Sequence, residues 1–257
     1  MDTKCIEFAV DRRDLITKDG IPVPRQALVR TETNDILGII SPEYKLVTHK
    51  EALDKAISVV EQFEDLKLKK IIPTKCGARM YAQFESDKEY MVGNLETGQP
   101  DNIKLRLTLT NSYDGSLKYG FIIGAYRLVC KNGLRTGKDI FAVRQKHTAG
   151  LDISTIMRSA RKAVRHFNET TMPLWNKMRN TEVLVAEVLG KVEETLPDRL
   201  FKEVSEKFAT KKNSTLWDVY NGFTEALTHN EKYNKSFDRN DRIQRKVAIA
   251  FEKLAVA

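Results

Sequence analysis

The chain has 257 residues, with 43 Lys and Arg against 35 Asp and Glu, a formal net charge of +8. Its 41% hydrophobic and 30% charged residues are the balance of a folded protein, too apolar for intrinsic disorder and long enough for one large or two small cores. No apolar run approaches the ~18 residues of a membrane span, and the opening MDTKCIEFAVDRRDL lacks the charged-then-apolar order of a signal peptide, so a cytoplasmic protein with no membrane partner is expected.

In chain order, the first ~35 residues mix charge with Ile21-Pro22-Val23-Pro24, which predicts an extended, loop-like path. The apolar run Ile36 to Ile40 ends at a Ser41-Pro42 turn. A helix is predicted from Thr48, where the hydroxyl can cap and Glu51 stands in the capping-box position. Leu53, Ala56, Ile57, Val60 and Phe63 follow at helical spacing. From Gly77 the period falls to two: Ala78, Met80, Ala82 and Phe84 alternate with Arg79, Tyr81 and Gln83, a half-buried strand with an Arg and a Tyr on its other face. A second strand puts Ile103, Leu105, Leu107 and Leu109 opposite Lys104, Arg106, Thr108 and Thr110. Asn111 to Ser116 reads as a hairpin loop, with Tyr113 and Tyr119 as further candidates for base stacking. The returning strand runs through Tyr119, Phe121, Ile123 and Ala125, and Asn132-Gly133 marks another turn.

A helix over about Ile153 to Asn168 follows, capped by Asp152 or Ser154. Ile153, Ile156, Met157, Ala160, Ala163, Val164 and Phe167 form its apolar stripe, and Arg158, Arg161, Lys162 and Arg165 form a basic one. After Pro173 the pattern is helical, with breaks at Pro197, near Asn213-Ser214 and over His229 to Asn240; a last helix begins at about Asp241. Trp217, Tyr220, Phe223 and Leu227 form a stripe that serves either as a subunit contact or as the core of the helical part. The fold class is α+β: an antiparallel hairpin and sheet core packed by helices over 1–175, then a helical C-terminal region over 176–257. Cys5, Cys76 and Cys130, odd in number and widely spaced, fit buried reduced thiols rather than a disulfide framework or a zinc site.

Between Lys131 and His166 nine Lys or Arg meet only Asp139 and Asp152, so this stretch holds +7 of the chain's +8. Charge so concentrated is the footprint expected of a polyanion partner. A groove between a basic sheet face and a basic helix would carry cations along a phosphate backbone while aromatic rings stack on bases. The residues assigned to it are Arg79, Tyr81, Lys104, Arg106, Tyr126, Lys131, Arg135, Lys138, Arg144, Lys146, Arg158, Arg161, Lys162 and Arg165. Catalytic patterns are weak. His49, His147, His166 and His229 make no metal-ligand pair. Gly133 to Asp139 is one residue short of a phosphate-binding loop, and Asp139 stands where magnesium would need Ser or Thr. Acidic pairs such as Glu64-Asp65 diverge on a helix and read as solvated, against a metal-dependent nuclease.

Three stretches carry a family resemblance: LGIISPEYKLVTHKEAL (37–53), LTLTNSYDGSLKYGFIIGAYRLVCKNGL (107–134) and STLWDVYNGFTEALTH (214–229). Together they resemble a phage- and plasmid-encoded family catalogued as a domain of unknown function. In that family L-G-x-V-S-x-x-Y, N-S-x-D-G-S, R-x-V-C-x-N and T-L-W-x-x-x-N-x-x-T-E motifs recur in this order; Ile40 stands in the Val position of the first. The run of strands, hairpin and helix is also similar to Rad-type and phage single-strand annealing proteins. That likeness implies single-stranded DNA as partner, a ring or filament of like subunits, and strand pairing with no cofactor, metal or ATP. The expectation is therefore a non-enzymatic, single-stranded DNA-binding protein that anneals strands in phage or plasmid recombination or replication. The alternative is an interaction protein that inhibits a host defence enzyme without touching nucleic acid.

Overall fold

The computed structural model describes residues 3–61, 63, 65–95, 97–128, 133–135, 143–234 and 237–256. Its elements are β1 (Val10–Ile16), β2 (Pro22–Arg30), β3 (Ile36–Ile40), α1 (His49–Val60), β4 (Leu66–Thr74), β5 (Arg79–Asn94), β6 (Pro100–Ser112), β7 (Tyr119–Arg127), β8 (Gly133–Arg135) and β9 (Val143–Gln145). Then come α2 (Ile153–His166), α3 (Met172–Asn180), β10 (Glu182–Leu184), α4 (Val185–Val192), α5 (Asp198–Phe208), β11 (Asn213–Thr215), α6 (Leu216–His229), α7 (Glu231–Asn234) and α8 (Phe237–Val256). The fold is α+β, with antiparallel sheets and a helical C-terminal part. Two compact units are drawn from several segments each. The first takes Met1–Glu85, Leu107–Ile122 and Ala142–Lys162; the second takes Ser86–Arg106, Ile123–Phe141 and Ala163–Ala257.

In the first unit the N-terminal residues form strands rather than the expected loop. β1, β2 and β3 make an antiparallel sheet in that order. The register shifts between Asp14 and Leu15, whose partners are Gln26 and Val23, so Pro24 and Arg25 sit in a bulge where the missing proline N–H costs no ladder bond. Leu28, Leu37 and Ile40 bury against Phe8, Tyr44, Ala78 and Tyr113. The predicted cap of α1 is present: Thr48 Oγ1 accepts from Glu51 N at 3.1 Å, while Ala52, Leu53, Ala56 and Val60 turn inward. β4, with its run of lysines and Pro73, has no clear alternation and was not expected as a strand.

The larger sheet runs β4-β5-β6-β7-β8, with β9 pairing to β7, and each of β5, β6 and β7 supplies residues to both units. Ile103, Leu105, Leu107 and Leu109 are all buried, as their alternation predicts. Tyr81 departs from its alternation: at 2% exposed it is covered, because β5 is an interior strand whose residues 80–82 are all buried. The hairpin stands where Asp114 and Gly115 place it, Gly115 at φ 69° supplying the left-handed conformation. Cys5 and Cys76 are exposed free thiols, contrary to the buried reading; Cys76 occupies a turn with φ 54°. Cys130 lies outside the described residues.

In the second unit an aromatic chain builds the core. Ring centroids step from Tyr90 to Phe167 (5.4 Å), Trp175 (5.8 Å), Trp217 (5.5 Å), Tyr220 (5.7 Å) and Phe251 (5.4 Å). The stripe of Trp217, Tyr220, Phe223 and Leu227 on α6 is fully buried there. Asp101, 0% exposed, accepts from Arg127 Nε at 2.7 Å and from Trp217 Nε1 at 2.8 Å, tying β6, β7 and α6 by one carboxylate. The predicted break near Asn213-Ser214 holds β11, which pairs antiparallel with β10, a strand in a stretch that the sequence pattern reads as helical; at the predicted break of Pro197, that residue precedes α5. α8 begins at Phe237, four residues earlier than the sequence pattern suggested.

Candidate nucleic-acid interface

The helix α2 is set by its start. Asp152 accepts from Thr155 N at 3.1 Å, from Thr155 Oγ1 at 2.6 Å and from Ser154 Oγ at 2.7 Å, and these bonds, the Thr155 hydroxyl first, hold its carboxyl well below the usual carboxylate range. Its own N–H donates to Gln145 Oε1 on β9 at 2.8 Å, so the strand fixes where the helix begins. Ile156 and Ala160 are fully buried. Arg158, Lys162 and Arg165 are exposed at i, i+4 and i+7. Arg158 Nη2 donates to Thr155 Oγ1 at 3.0 Å, a neutral partner, and among the described residues no acid pairs with it. Lys146, in the loop that leaves β9, is exposed as well, and Arg144 within β9 is half-buried.

The assigned strand cations serve their neighbours instead. Arg79 Nε donates to Asp114 Oδ2 at 2.8 Å with its side chain only 11% exposed, and Lys75 stands 3.9 Å from the same oxygen. Burial would raise the Asp114 carboxyl, but the Ser116 hydroxyl and amide and the Arg79 guanidinium outweigh it and hold it below its ordinary value. Arg79 thus buttresses the hairpin turn. Lys104 faces Glu89 at 3.7 Å, and the Arg106 guanidinium stacks over the Tyr126 ring at 4.7 Å from its centroid. Tyr81, Tyr113 and Tyr119 are buried and offer no open ring to a base. Lys131 and Lys138, and the side chains of Arg135 and Arg161, lie outside the described residues. Of the fourteen assigned positions, α2 gathers Arg158, Lys162 and Arg165 on one exposed face, with Lys146 exposed nearby in sequence.

A buried network in the first unit was not foreseen. Asn111 Nδ2 donates to Val47 O and to His49 Nδ1, both at 2.9 Å; His49 Nε2 donates to Gly77 O at 2.9 Å; and the His49 amide donates to the Tyr113 hydroxyl at 2.8 Å. His49 and Tyr113 rings lie 4.1 Å apart, and burial pushes the His49 imidazole down to about 4, keeping it neutral. His147 stacks on Tyr44 at 4.8 Å and donates from Nδ1 to Lys45 O at 3.0 Å; burial lowers it too. The signal available in sequence was the Asn-Ser-Tyr-Asp-Gly hairpin itself, whose Asn and Tyr side chains organise the interior while its Asp and Gly make the turn.

Residues 36–249 match the family model described as "Domain of unknown function (DUF932)", and the chain belongs to that family. No curated protein and no solved structure matches it.

Proposed function

We propose that this DUF932 member is a single-stranded DNA-binding protein that pairs complementary strands without ATP, in recombination or replication of a phage or plasmid. The observation that carries the reading is the exposed face of α2, where, among the described residues, Arg158 and Lys162 stand without an acidic partner and Arg165 follows three residues on. A rise of 1.5 Å per residue puts the first two about 6 Å apart along the axis, a ladder suited to successive phosphates. Contacts of this kind hold a backbone and leave base edges free, which is what pairing with a second strand needs. The order β5, β6, β7 and then α2, strands and hairpin followed by a helix, supports the likeness to annealing proteins. Self-association into a ring or filament follows from the same logic, because weak phosphate contacts add up along a strand held by linked subunits.

A second reading, a protein-binding inhibitor of a host enzyme, draws on Ile36 and Ile39 of β3, which are 65% and 54% exposed. Fluorescence anisotropy with labelled single-stranded and duplex oligonucleotides over a salt series separates the two. Salt-sensitive preference for the single strand, lost in Arg158→Glu/Lys162→Glu, supports the first reading; binding to neither nucleic acid overturns it in favour of the second.

A further inference from the structure

The C-terminal helix carries a second cationic face. Twenty residues long, α8 buries Asn240, Ile243, Val247, Ala248, Phe251 and Ala255 on one side. At about 100° per residue, Arg242, Lys246 and Lys253 fall within about 40° of one another on the side away from that core, and all three are exposed. Arg239, also exposed, lies about 20° beyond them. Asp241 and Glu252 map to a different flank, with Arg245 about 20° beyond Glu252 on the side toward Arg242. Among the described residues, the arc from Arg242 to Arg239 therefore holds cations and no acid.

Helix stability accounts for Lys253 alone, which stands in the last turn where the dipole favours a cation. Arg242 and Lys246 are like charges at i and i+4, which repel, and Arg239 stands in the first turn, where the helix dipole disfavours a cation. A helix serving only as a solvated cover would gain from the opposite arrangement. The stripe from Arg242 to Lys253 is about 16 Å long and follows an open convex face rather than a pocket. A single small anion would stay hydrated on such a face. A polymer of phosphates can meet several of its cations at once, Arg through its planar fork and Lys as a point charge.

We propose that this face of α8 is a second phosphate-contacting surface, which takes a nucleic-acid strand separately from α2 and so lets one protein hold two strands. The inference rests on the nucleic-acid reading of the protein given above, and its test keeps the two apart. Full-length wild type, Arg242→Glu/Lys246→Glu and Arg158→Glu/Lys162→Glu are titrated with a labelled single strand over a salt series. Each is then mixed with donor- and acceptor-labelled non-complementary strands to read co-binding by energy transfer. The α8 variant should bind one strand through α2 with the wild-type slope of log affinity against log salt, and should lose co-binding. The milder Arg242→Gln/Lys246→Gln, whose circular dichroism should equal that of wild type, is expected to show the same loss in part. Wild-type co-binding in both α8 variants, with binding lost in the α2 variant, overturns the α8 surface alone. Binding of nucleic acid by none of the proteins overturns the function proposed above and this surface with it.

Discussion

Replacing Asp101 with Asn removes one charge from the interior of the second unit and nothing from its shape. The carboxylate is 0% exposed and receives the Arg127 guanidinium through two nitrogens and the Trp217 indole N–H through a third bond. In the variant one oxygen becomes an NH2 group facing donors, and Arg127, itself 7% exposed, loses the carboxylate it meets through two nitrogens. Breaking a buried pair from one side costs about 3–5 kcal/mol, most of it the penalty of the stranded charge. At roughly 2–4 °C per kcal/mol for a protein near this size, the thermal midpoint should fall by roughly 6–20 °C. Urea unfolding followed by tryptophan emission is the assay, since Trp217 is itself a member of the triad. The double variant Asp101→Asn/Arg127→Met should recover part of the loss by removing the cation, and this non-additivity identifies the ion pair as the cause. A loss below about 1 kcal/mol for Asp101→Asn, or strict additivity in the pair, would refute the reasoning.

Stability should fall with acid through a separate window. His49, near 4 folded against 6.5 unfolded, is uncharged in the native state, so the unfolded chain takes up its proton first and stability drops as pH falls from about 6.5 to about 4. The drop is about 2 kcal/mol, read as the change in urea midpoint between pH 7 and pH 4.5; a flat profile across that range would exclude a neutral buried imidazole. Asp114 and Asp152, lowered from 3.8, act further down: their contribution is present above that value and is lost as pH falls through their folded values. Gly38→Ala should destabilise by about 1–3 kcal/mol, because a Cβ there would sit 2.5 Å from Asp114 Cα and 2.7 Å from Tyr113 O, backbone atoms that cannot rotate away. Unchanged thermal unfolding of that variant would show that β3 and the hairpin are free to separate.

How far the sequence reaches depends on how many constraints meet at each residue. α1 and α2 were legible because a cap and a 3.6-residue stripe agree, as at Thr48 and Asp152, and α6 showed its stripe alone. The hairpin was legible because Asp114 and Gly115 answer one backbone requirement. β1 and β2 were not: β1 is mostly charged, and in β2 a bulge takes up Pro24 while Pro22 stands at the first position, where a strand tolerates proline. β10 and β11, three residues each, are too short for any period to show. For the candidate site, helical spacing correctly placed Arg158, Lys162 and Arg165 on one exposed face of α2. Arg79 and Lys104 escaped this reasoning because their acids are distant in the chain: Asp114 lies 35 residues from Arg79, and no local pattern announces the pair. The α8 stripe was hidden by the opposite problem, its cations being diluted by acids that only the helix geometry assigns to another flank.

The most direct trial is the rate at which two complementary oligonucleotides pair in the presence of the protein, without nucleotide or added metal, for wild type and for Arg158→Glu/Lys162→Glu with an unchanged thermal transition. Pairing faster than the protein-free reaction, returning to that baseline in the variant, is the predicted result. Wild-type protein that leaves the rate at baseline, or a variant as fast as wild type, contradicts it.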